Sequence, residues 1–230
     1  MPEPTLLLGI DTCGPDGSVA LARQRDGRLE LLDQRELAGR TYSATLVSAV
    51  AALLSSQGQT LGSLAALVVV AGPGSFTGVR VGLSAAKGLV QPTGIPLIAI
   101  SRLAVLAHKA GTTAAALDAH RHEIFLRFPE HGYEPREQLA GAAELAKLPS
   151  PAQIAVCDAA ESLVLSAWPQ VQPIRTEPPT AWDALSCAHP RLIPQAFDDL
   201  TTLDGHYLRR SDAEIFGDPD PESTSTPRPQ

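Results

Sequence analysis

The sequence predicts an α/β protein built from two similar units, and three observations favour this class. Short apolar runs typical of buried strands alternate with longer segments of helical periodicity. The predicted order is three strands followed by alternating helices and strands. In the second half of the chain, an apolar run ends at Asp118, just as the first run of the chain ends at Asp11.

The first residues predict a strand and a β-hairpin. Thr5–Ile10 is an apolar run that precedes Asp11, which is typical of a central strand. The dipeptide Asp26-Gly27 separates Gly17–Gln24 from Arg28–Glu36, and Asp-Gly between two strand-like runs is a strong signal for a two-residue turn. We therefore expect three neighbouring antiparallel strands.

Helices and buried strands alternate in the next part of the chain. Ala66–Ala71 is apolar at every position, which is typical of a parallel strand covered on both faces. The other predicted elements are a helix over Ser43–Gln57 with Thr41 or Ser43 as its cap, a helix over Thr77–Gln91, a strand over Leu97–Ile100 and a helix over Arg102–Ala110. This order matches a ribonuclease H-like unit, which occurs twice in actin-like folds.

The second half of the chain repeats this pattern more faintly. It predicts strands over Thr113–Leu117 and Glu123–Phe128 and helices over Gly141–Lys147 and Ala184–Asp199. We therefore expect an actin-like duplicated fold with two α/β subdomains, of which the second is degenerate. The predicted organisation is an N-terminal, partner-binding ribonuclease H-like subdomain at 1–110, a smaller C-terminal subdomain at 111–216 and a disordered tail at 217–230.

Composition and charge exclude several classes of protein. The chain has 18 Lys and Arg residues and 25 Asp and Glu residues, which give a formal net charge of -7. This charge disfavours a protein that binds nucleic acid on its own. The three cysteines, Cys13, Cys157 and Cys187, lie far apart and predict neither a disulfide framework nor a CxxC metal clip. There is no basic leader and no run of about 18 apolar residues, so we expect a cytoplasmic protein without a membrane segment.

A long uncharged tract predicts a protein–protein interface. Residues 41–79 contain no Asp, Glu, Lys, Arg or His, and within 41–101 only Arg80 and Lys87 are charged. A solvated helix face normally carries charge, whereas the cores of interfaces are depleted in it. The alternative is close packing on the chain's own sheet. The predicted interface consists of Leu46, Val50, Leu53, Leu54, Val79, Gly82, Ala85, Ala86 and Leu89.

The glycine-rich segment Gly72–Arg80 predicts an anion site. It follows a buried strand and opens a helix, where free backbone N–H groups can receive a nucleotide phosphate. Its spacing fits neither a Walker A loop nor GxGxxG, and a tight turn capped by Ser75 or Thr77 is the alternative. The candidate residues are Gly72, Gly74, Ser75, Thr77, Gly78 and Arg80, together with Asp11 and Thr12 at the end of the first strand.

The sequence shows no catalytic constellation. His120 and His122 have the spacing that would place them on one face of a strand as a zinc pair, but no third ligand has clear spacing. There is no nucleophile elbow, HExxH or cysteine–histidine signature. We therefore predict no catalytic residue, no metal site and no intrinsic cofactor.

Gly72–Leu89 (GPGSFTGVRVGLSAAKGL) resembles the TsaB family. The chain has Tyr42 where family members often have His, and His120 where they often have Arg. The segments that support the resemblance are Ile10–Thr12, Arg40–Ser43, Asp118–Phe125 and Tyr207–Arg209.

The resemblance implies a non-catalytic dimerization subunit of the machinery that makes N6-threonylcarbamoyladenosine at position 37 of tRNA (t6A37). Such a subunit binds and activates the catalytic paralogue TsaD through its first two helices, or pairs with a second copy of itself. The resemblance also implies a TsaE-like ATPase as a partner, ATP or ADP bound at a subunit interface, and only indirect contact with tRNA. The alternative is an actin-like ATPase or a metallopeptidase-like hydrolase that acts alone.

Overall fold

Two five-stranded sheets form the framework of the molecule. The computed structural model describes residues 5–38, 41–129, 135–192 and 195–209. The first sheet contains β1 (Thr5–Asp11), β2 (Gly17–Arg25), β3 (Arg28–Leu37), β4 (Leu64–Val70) and β5 (Leu97–Ile100). The second contains β6 (Ala115–Asp118), β7 (Glu123–Phe128), β8 (Arg136–Gly141), β9 (Gln153–Val156) and β10 (Gln172–Arg175).

The two sheets have the same strand order. It is β3-β2-β1-β4-β5 in the first sheet and β8-β7-β6-β9-β10 in the second. In each sheet the first strand is antiparallel to the second and parallel to the fourth. The predicted duplicated actin-like fold is therefore confirmed, and the second unit retains all five strands, four of them shorter than their counterparts.

Six α-helices cover the sheets in the described part of the chain. They are α1 (Tyr42–Ser56), α2 (Phe76–Val90), α3 (Arg102–Ala110), α4 (Ala142–Leu145), α5 (Ala160–Ala167) and α6 (Ala181–Leu192). α1 packs on β2 and β3, α2 packs on β4, and the two helices contact each other. α6 contacts β1, β2 and β4, and it also contacts α3, which packs on the second sheet. None of these helices combines the length and the apolar character needed to cross a bilayer.

The last helix differs from its prediction of Ala184–Asp199. It starts at Ala181, where the backbone N–H and hydroxyl of Thr180 both donate to Asp183 Oδ2 at 2.9 Å. It ends at Leu192, and Asp198 then accepts a hydrogen bond from the N–H of Ala99 at the edge of the first sheet. By its packing α6 belongs to the first sheet, although it lies in the predicted subdomain 111–216. The predicted tail at 217–230 lies outside the described residues.

Two glycines allow α2 to approach the end of β1 very closely. A Cβ atom at Gly78 would lie 2.0 Å from the Thr12 carbonyl oxygen, and one at Gly82 would lie 2.4 Å from Thr12 Oγ1. The Thr12 hydroxyl is itself fixed, because it donates to the Gly78 carbonyl oxygen at 2.7 Å. Gly88 is different, since nothing lies within 4 Å of its would-be Cβ and it faces solvent.

Alanine substitutions at Gly82 and Gly88 add the same methyl group to the same helix and should change the free energy of unfolding in opposite directions. Gly82→Ala should lower the free energy of unfolding by about 1–3 kcal/mol, because the methyl group overlaps the fixed Thr12 hydroxyl. Gly88→Ala should raise it by about 0.5–1 kcal/mol, because alanine is the better helix former. Urea denaturation followed by circular dichroism measures both, and effects of the same sign would contradict this packing.

Candidate functional site

A cleft of about 1380 Å³ lies between the two units. Its first wall consists of the loop after β1 and the N-terminal turn of α2, including Gly14, Ser75 and Phe76. The facing wall includes His120 from the turn after β6. β1 and β6 are the equivalent first strands of the two units, and they end at Asp11 and Asp118. These two aspartates therefore occupy equivalent positions in the duplicated fold.

The side of the cleft next to β1 contains a buried ion pair. Asp11 Oδ1 accepts a hydrogen bond from the Cys13 N–H at 2.8 Å, and Asp11 Oδ2 lies 3.6 Å from Arg102 Nε. Both side chains are at least nine-tenths buried. Burial raises the pKa of Asp11, although Arg102 acts in the opposite direction. Burial alone would lower the pKa of Arg102, but the Asp11 carboxylate outweighs it and the pKa is raised.

This ion pair gives Asp11 a counter-charge inside the chain, and a ligand at Asp11 stays a prediction. The positive partner of its carboxylate is Arg102 of the same chain, so no external cation is needed to neutralise the carboxylate. The neighbouring thiol of Cys13 is also fully buried, and burial raises its pKa. Neither group has the exposure that a reacting group needs.

The glycine-rich segment packs on backbone of the same chain. The Ser75 N–H donates to the Cys13 carbonyl oxygen at 2.9 Å, and Ser75 Oγ accepts from the Gly78 N–H. A Cβ atom at Gly74 would lie 2.3 Å from the Cys13 carbonyl oxygen, while the Gly72 carbonyl oxygen accepts from the Arg102 N–H at 2.7 Å. The alternative of a tight turn capped by Ser75 is therefore confirmed.

The predicted anion-site residues differ in their exposure. Asp11, Thr12 and Gly78 are buried in contacts within the chain. Thr77 and Arg80 are exposed, and the Arg80 guanidinium lies 3.7 Å from the centre of the Phe76 ring. Gly74, Ser75, Thr77 and Gly78 nevertheless line the same cleft, and an anion site on this segment stays a prediction.

The equivalent strand end in the second unit is also closed by local hydrogen bonds. Asp118 Oδ1 accepts from the His120 N–H at 2.8 Å, which repeats the Asp11 contact. His120, Arg121 and His122 form a turn with φ values of 60°, 55° and 61°, so the two histidines do not share the strand face that a zinc pair would require. Within the described ranges, no three His, Cys, Asp or Glu side chains are grouped as metal ligands would be.

Glu137, which no sequence pattern singled out, connects three parts of the chain next to His206, a residue that lines the cleft. Its carboxylate accepts hydrogen bonds from Ser101 at 2.6 Å and from Arg127 at 2.6 Å, and His206 Nε2 lies 2.8 Å away. The His206 N–H donates to the Ala71 carbonyl oxygen at 2.7 Å. Burial would raise the pKa of Glu137, but the donors from His206, Ser101 and Arg127 outweigh it and lower the pKa.

The predicted partner interface also requires correction. Most of its side chains pack into the chain's own core, because the apolar face of each helix covers the first sheet; these residues are Leu46, Val50, Leu53, Leu54, Val79, Gly82 and Ala86. Only Ala85 and Leu89 are half-buried. The face of α1 that meets solvent is formed instead by Ser43, Ala44, Val47, Ser48, Ala51, Ala52, Ser55 and Ser56.

The duplicated sheets and the cleft between them define a two-lobed protein of the actin-like class. A family model described as TsaD, tRNA N6-adenosine threonylcarbamoyltransferase, matches residues 34–175. An uncharacterized protein of Mycobacterium tuberculosis is 32% identical over 211 residues, which cover 90% of this chain and 93% of that protein. The tRNA threonylcarbamoyladenosine biosynthesis protein TsaB of Haemophilus influenzae is 38% identical over 125 residues, which cover 52% of this chain and 51% of that protein.

A solved structure supports the same assignment of the fold. YeaZ from Pseudomonas aeruginosa superposes with a TM-score of 0.66 at 23% identity, covering 89% of this chain and 100% of that chain. The matches extend over more than half of the sequence and over both sheets. The chain therefore belongs to the TsaB family.

Removing one partner of the buried ion pair should destabilise the fold strongly. Asp11→Asn leaves the Arg102 guanidinium buried without its counter-charge, and we expect the free energy of unfolding to fall by about 3–5 kcal/mol. Adding Arg102→Met to this variant removes the unpaired charge and should recover much of the loss. Asp33→Asn is the matched control, because its pair with Arg35 is partly exposed and should contribute less than about 1 kcal/mol. An equal loss in Asp11→Asn and Asp33→Asn would contradict this role of the pair.

The hydrogen bonds to Glu137 predict a dependence of stability on pH. The pKa of Glu137 in the folded protein lies below the ordinary value of 4.5. Its carboxylate therefore contributes stability at pH values above 4.5, and this contribution is lost as the pH falls through the folded pKa. Glu137→Gln should therefore flatten the decline of the unfolding free energy with acid, whereas Glu36→Gln, at an exposed site, should leave it unchanged. Denaturation series between about pH 5 and pH 2 measure this, and identical slopes in all three proteins would exclude the contribution.

Proposed function

We propose that this chain is a non-catalytic subunit of the machinery that makes t6A37 in tRNA, and that it binds and activates a TsaD-like catalytic subunit. Its relatives in Haemophilus influenzae and Escherichia coli, at 38% and 36% identity, are called tRNA threonylcarbamoyladenosine biosynthesis proteins. These relatives imply a role in t6A biosynthesis. The uncharged solvent-facing side of α1 is the observation that carries the proposal of a partner.

The solvent-facing side of α1 has the composition of an interface. Its residues are alanines, serines and one valine, and Val47 is 57% exposed. Helices that meet only water normally carry charged side chains on that side, and the cores of interfaces lack them. Small side chains also let the backbone of a second helix approach closely.

α2 extends this surface. It contacts α1, and its residues Ala85 and Leu89 are half-buried, while Gly88 is exposed. A glycine inside a helix lowers stability, and nothing in this chain fills the space next to Gly88. A partner helix that packs across α1 and α2 gives this glycine a function, because it leaves room for close contact.

A TsaD-like protein is a suitable partner because it shares this part of the fold. The tRNA N6-adenosine threonylcarbamoyltransferase of Ruegeria sp. is 35% identical over 121 residues, covering 45% of this chain and 33% of that protein. Two related units can pack through equivalent helices around an approximate twofold axis. The proposal includes a second copy of this chain as the partner in a resting homodimer, a TsaE-like ATPase in the full assembly, ATP or ADP at a subunit interface, and only indirect contact with tRNA through the catalytic subunit.

The buried pair of Asp11 and Arg102 supports a role without catalysis. An actin-like ATPase or a hydrolase that acts alone would need a carboxylate, thiol or hydroxyl that reaches its substrate. Asp11, Thr12 and Cys13 are all buried in internal contacts. ATP turnover by the isolated chain that is lost in Asp11→Ala, in a variant shown to remain folded, would support the alternative.

A charge placed on the α1 surface should prevent complex formation. We expect Ser48→Glu to weaken binding to the same organism's TsaD homologue at least tenfold and to lower t6A formation in the reconstituted reaction, because the carboxylate would be desolvated in the interface. Sedimentation velocity and a t6A assay measure these effects.

Ser166→Glu is the matched control, because Ser166 is an exposed serine on α5 of the second unit. It should leave both binding and t6A formation unchanged. The isolated Ser48→Glu chain should melt at the wild-type temperature. Undiminished binding by Ser48→Glu would place the interface elsewhere, and undiminished t6A formation without this chain would refute the proposed function.

A further inference from the structure

Two aromatic side chains and an arginine form an exposed stack at the mouth of the cleft. The rings of Phe76 and Tyr207 have centroids 5.2 Å apart, and the Arg80 guanidinium lies 3.7 Å from the centre of the Phe76 ring. Phe76 is 40% exposed and Tyr207 is 37% exposed. The chain has 5 Phe, 3 Tyr and 2 Trp, and two of these ten aromatic side chains are exposed and in contact here.

The backbone leaves room for the Tyr207 ring in this position. A Cβ atom at Gly205 would lie 2.5 Å from Tyr207 Cζ, so only glycine lets the ring lie across this residue. The preceding N–H, that of His206, donates to the Ala71 carbonyl oxygen at 2.7 Å. The stack is therefore attached to the first sheet through a fixed segment.

A recess of about 300 Å³ lies beside the stack and carries cationic groups. Arg80 has no carboxylate partner among the described residues, and the Lys87 ammonium donates to the Leu203 carbonyl oxygen, which leaves two of its donors. Arg209 also lines the recess but is paired with Glu123. The acidic group of the recess is Asp204, whose carboxylate accepts from the Gly205 N–H at 2.7 Å.

This combination matches the chemistry of a nucleotide. Nucleobases stack on aromatic rings and on guanidinium planes, and their phosphates form ion pairs with arginine and lysine. We propose that the recess binds one nucleotide, with its base on the Phe76–Tyr207 rings and its phosphate at Arg80 and Lys87. The nucleotide is either a free mononucleotide or an unpaired nucleotide of an RNA chain.

This site differs from the proposed partner surface, and from the glycine-rich segment it takes only the side chains of Phe76 and Arg80. It uses Phe76, Arg80 and Lys87 of α2 and the segment before Arg209. The partner surface uses the solvent-facing side of α1 together with Ala85, Gly88 and Leu89 of α2. A local cationic recess is compatible with a net charge of -7, because a single nucleotide contacts only a few side chains. The site would give the chain a direct nucleotide contact that the proposed scaffold role does not require.

Equilibrium binding of AMP and of a 5′-phosphorylated single-stranded RNA decamer to the full chain tests this inference. Wild-type protein should bind at least one of them, and AMP should bind at least tenfold more tightly than ribose 5-phosphate, because the base contributes stacking. Phe76→Ala and Tyr207→Leu should each weaken binding by about tenfold. Gly205→Ala should also weaken it, because the added methyl group displaces the Tyr207 ring without removing any contact group.

Phe197→Ala is the matched control, since Phe197 is 36% exposed and lies outside the recess. It should bind like the wild type, and all variants should keep the wild-type melting transition. Tighter binding of the decamer than of AMP would identify RNA as the ligand, and equal binding would identify a mononucleotide. Absence of binding by the wild type at millimolar ligand, wild-type binding by both ring variants, or equal binding of AMP and ribose 5-phosphate would each overturn the inference.

Discussion

The close contact between the end of β1 and the start of α2 determines how the first unit is built. The Thr12 hydroxyl donates to the Gly78 carbonyl oxygen, and only glycine fits at 78 and 82 against the backbone and hydroxyl of Thr12. This contact fixes the height and direction of α2 over the first sheet. It also fixes the position of α1, which packs beside α2.

The same contact leads to both functional features of this unit. Inside the molecule the glycine-rich segment packs on Cys13, and the N–H groups of Ser75 and Gly78 form hydrogen bonds within the chain. The neighbouring Asp11 carboxylate lies next to the Arg102 guanidinium. Outside the molecule it presents α1 and α2 side by side with uncharged surfaces toward solvent. In our proposal, this unit of an actin-like fold therefore serves to bind another subunit through α1 and α2.

The sequence predicted the first unit closely because its elements are long or strongly apolar. The bounds of β5 and α3 were predicted correctly, and those of α1 and α2 within one residue. The strands β8, β9 and β10 and the helix α5 were missed. β8 and β10 are only partly buried and form no apolar run, and β10 contains Pro173. Duplication of the fold could have revealed them, since the pairing of β6 with β9 repeats that of β1 with β4.

The site was harder to predict than the fold. Helical periodicity identifies the stripe that contains Leu46 and Leu53 as apolar. Periodicity does not distinguish a stripe that faces the core from one that faces a partner. The predicted interface was therefore placed on the stripe that the chain's own sheet covers. Asp11 and Arg102 meet only through tertiary folding, and no local pattern marks Glu137. The uncharged composition of 41–79 was the useful signal, because it holds for the solvent-facing side of α1 as well as for the core-facing side.

Hydrogen–deuterium exchange of this chain, alone and with the same organism's TsaD homologue, tests the central claim most directly. Our account predicts that exchange slows in Tyr42–Ser56 and in the adjoining α2 when the partner is added, because a second subunit covers their solvent-facing sides. Unchanged exchange in both helices, with protection confined to the second sheet or absent altogether, would contradict it.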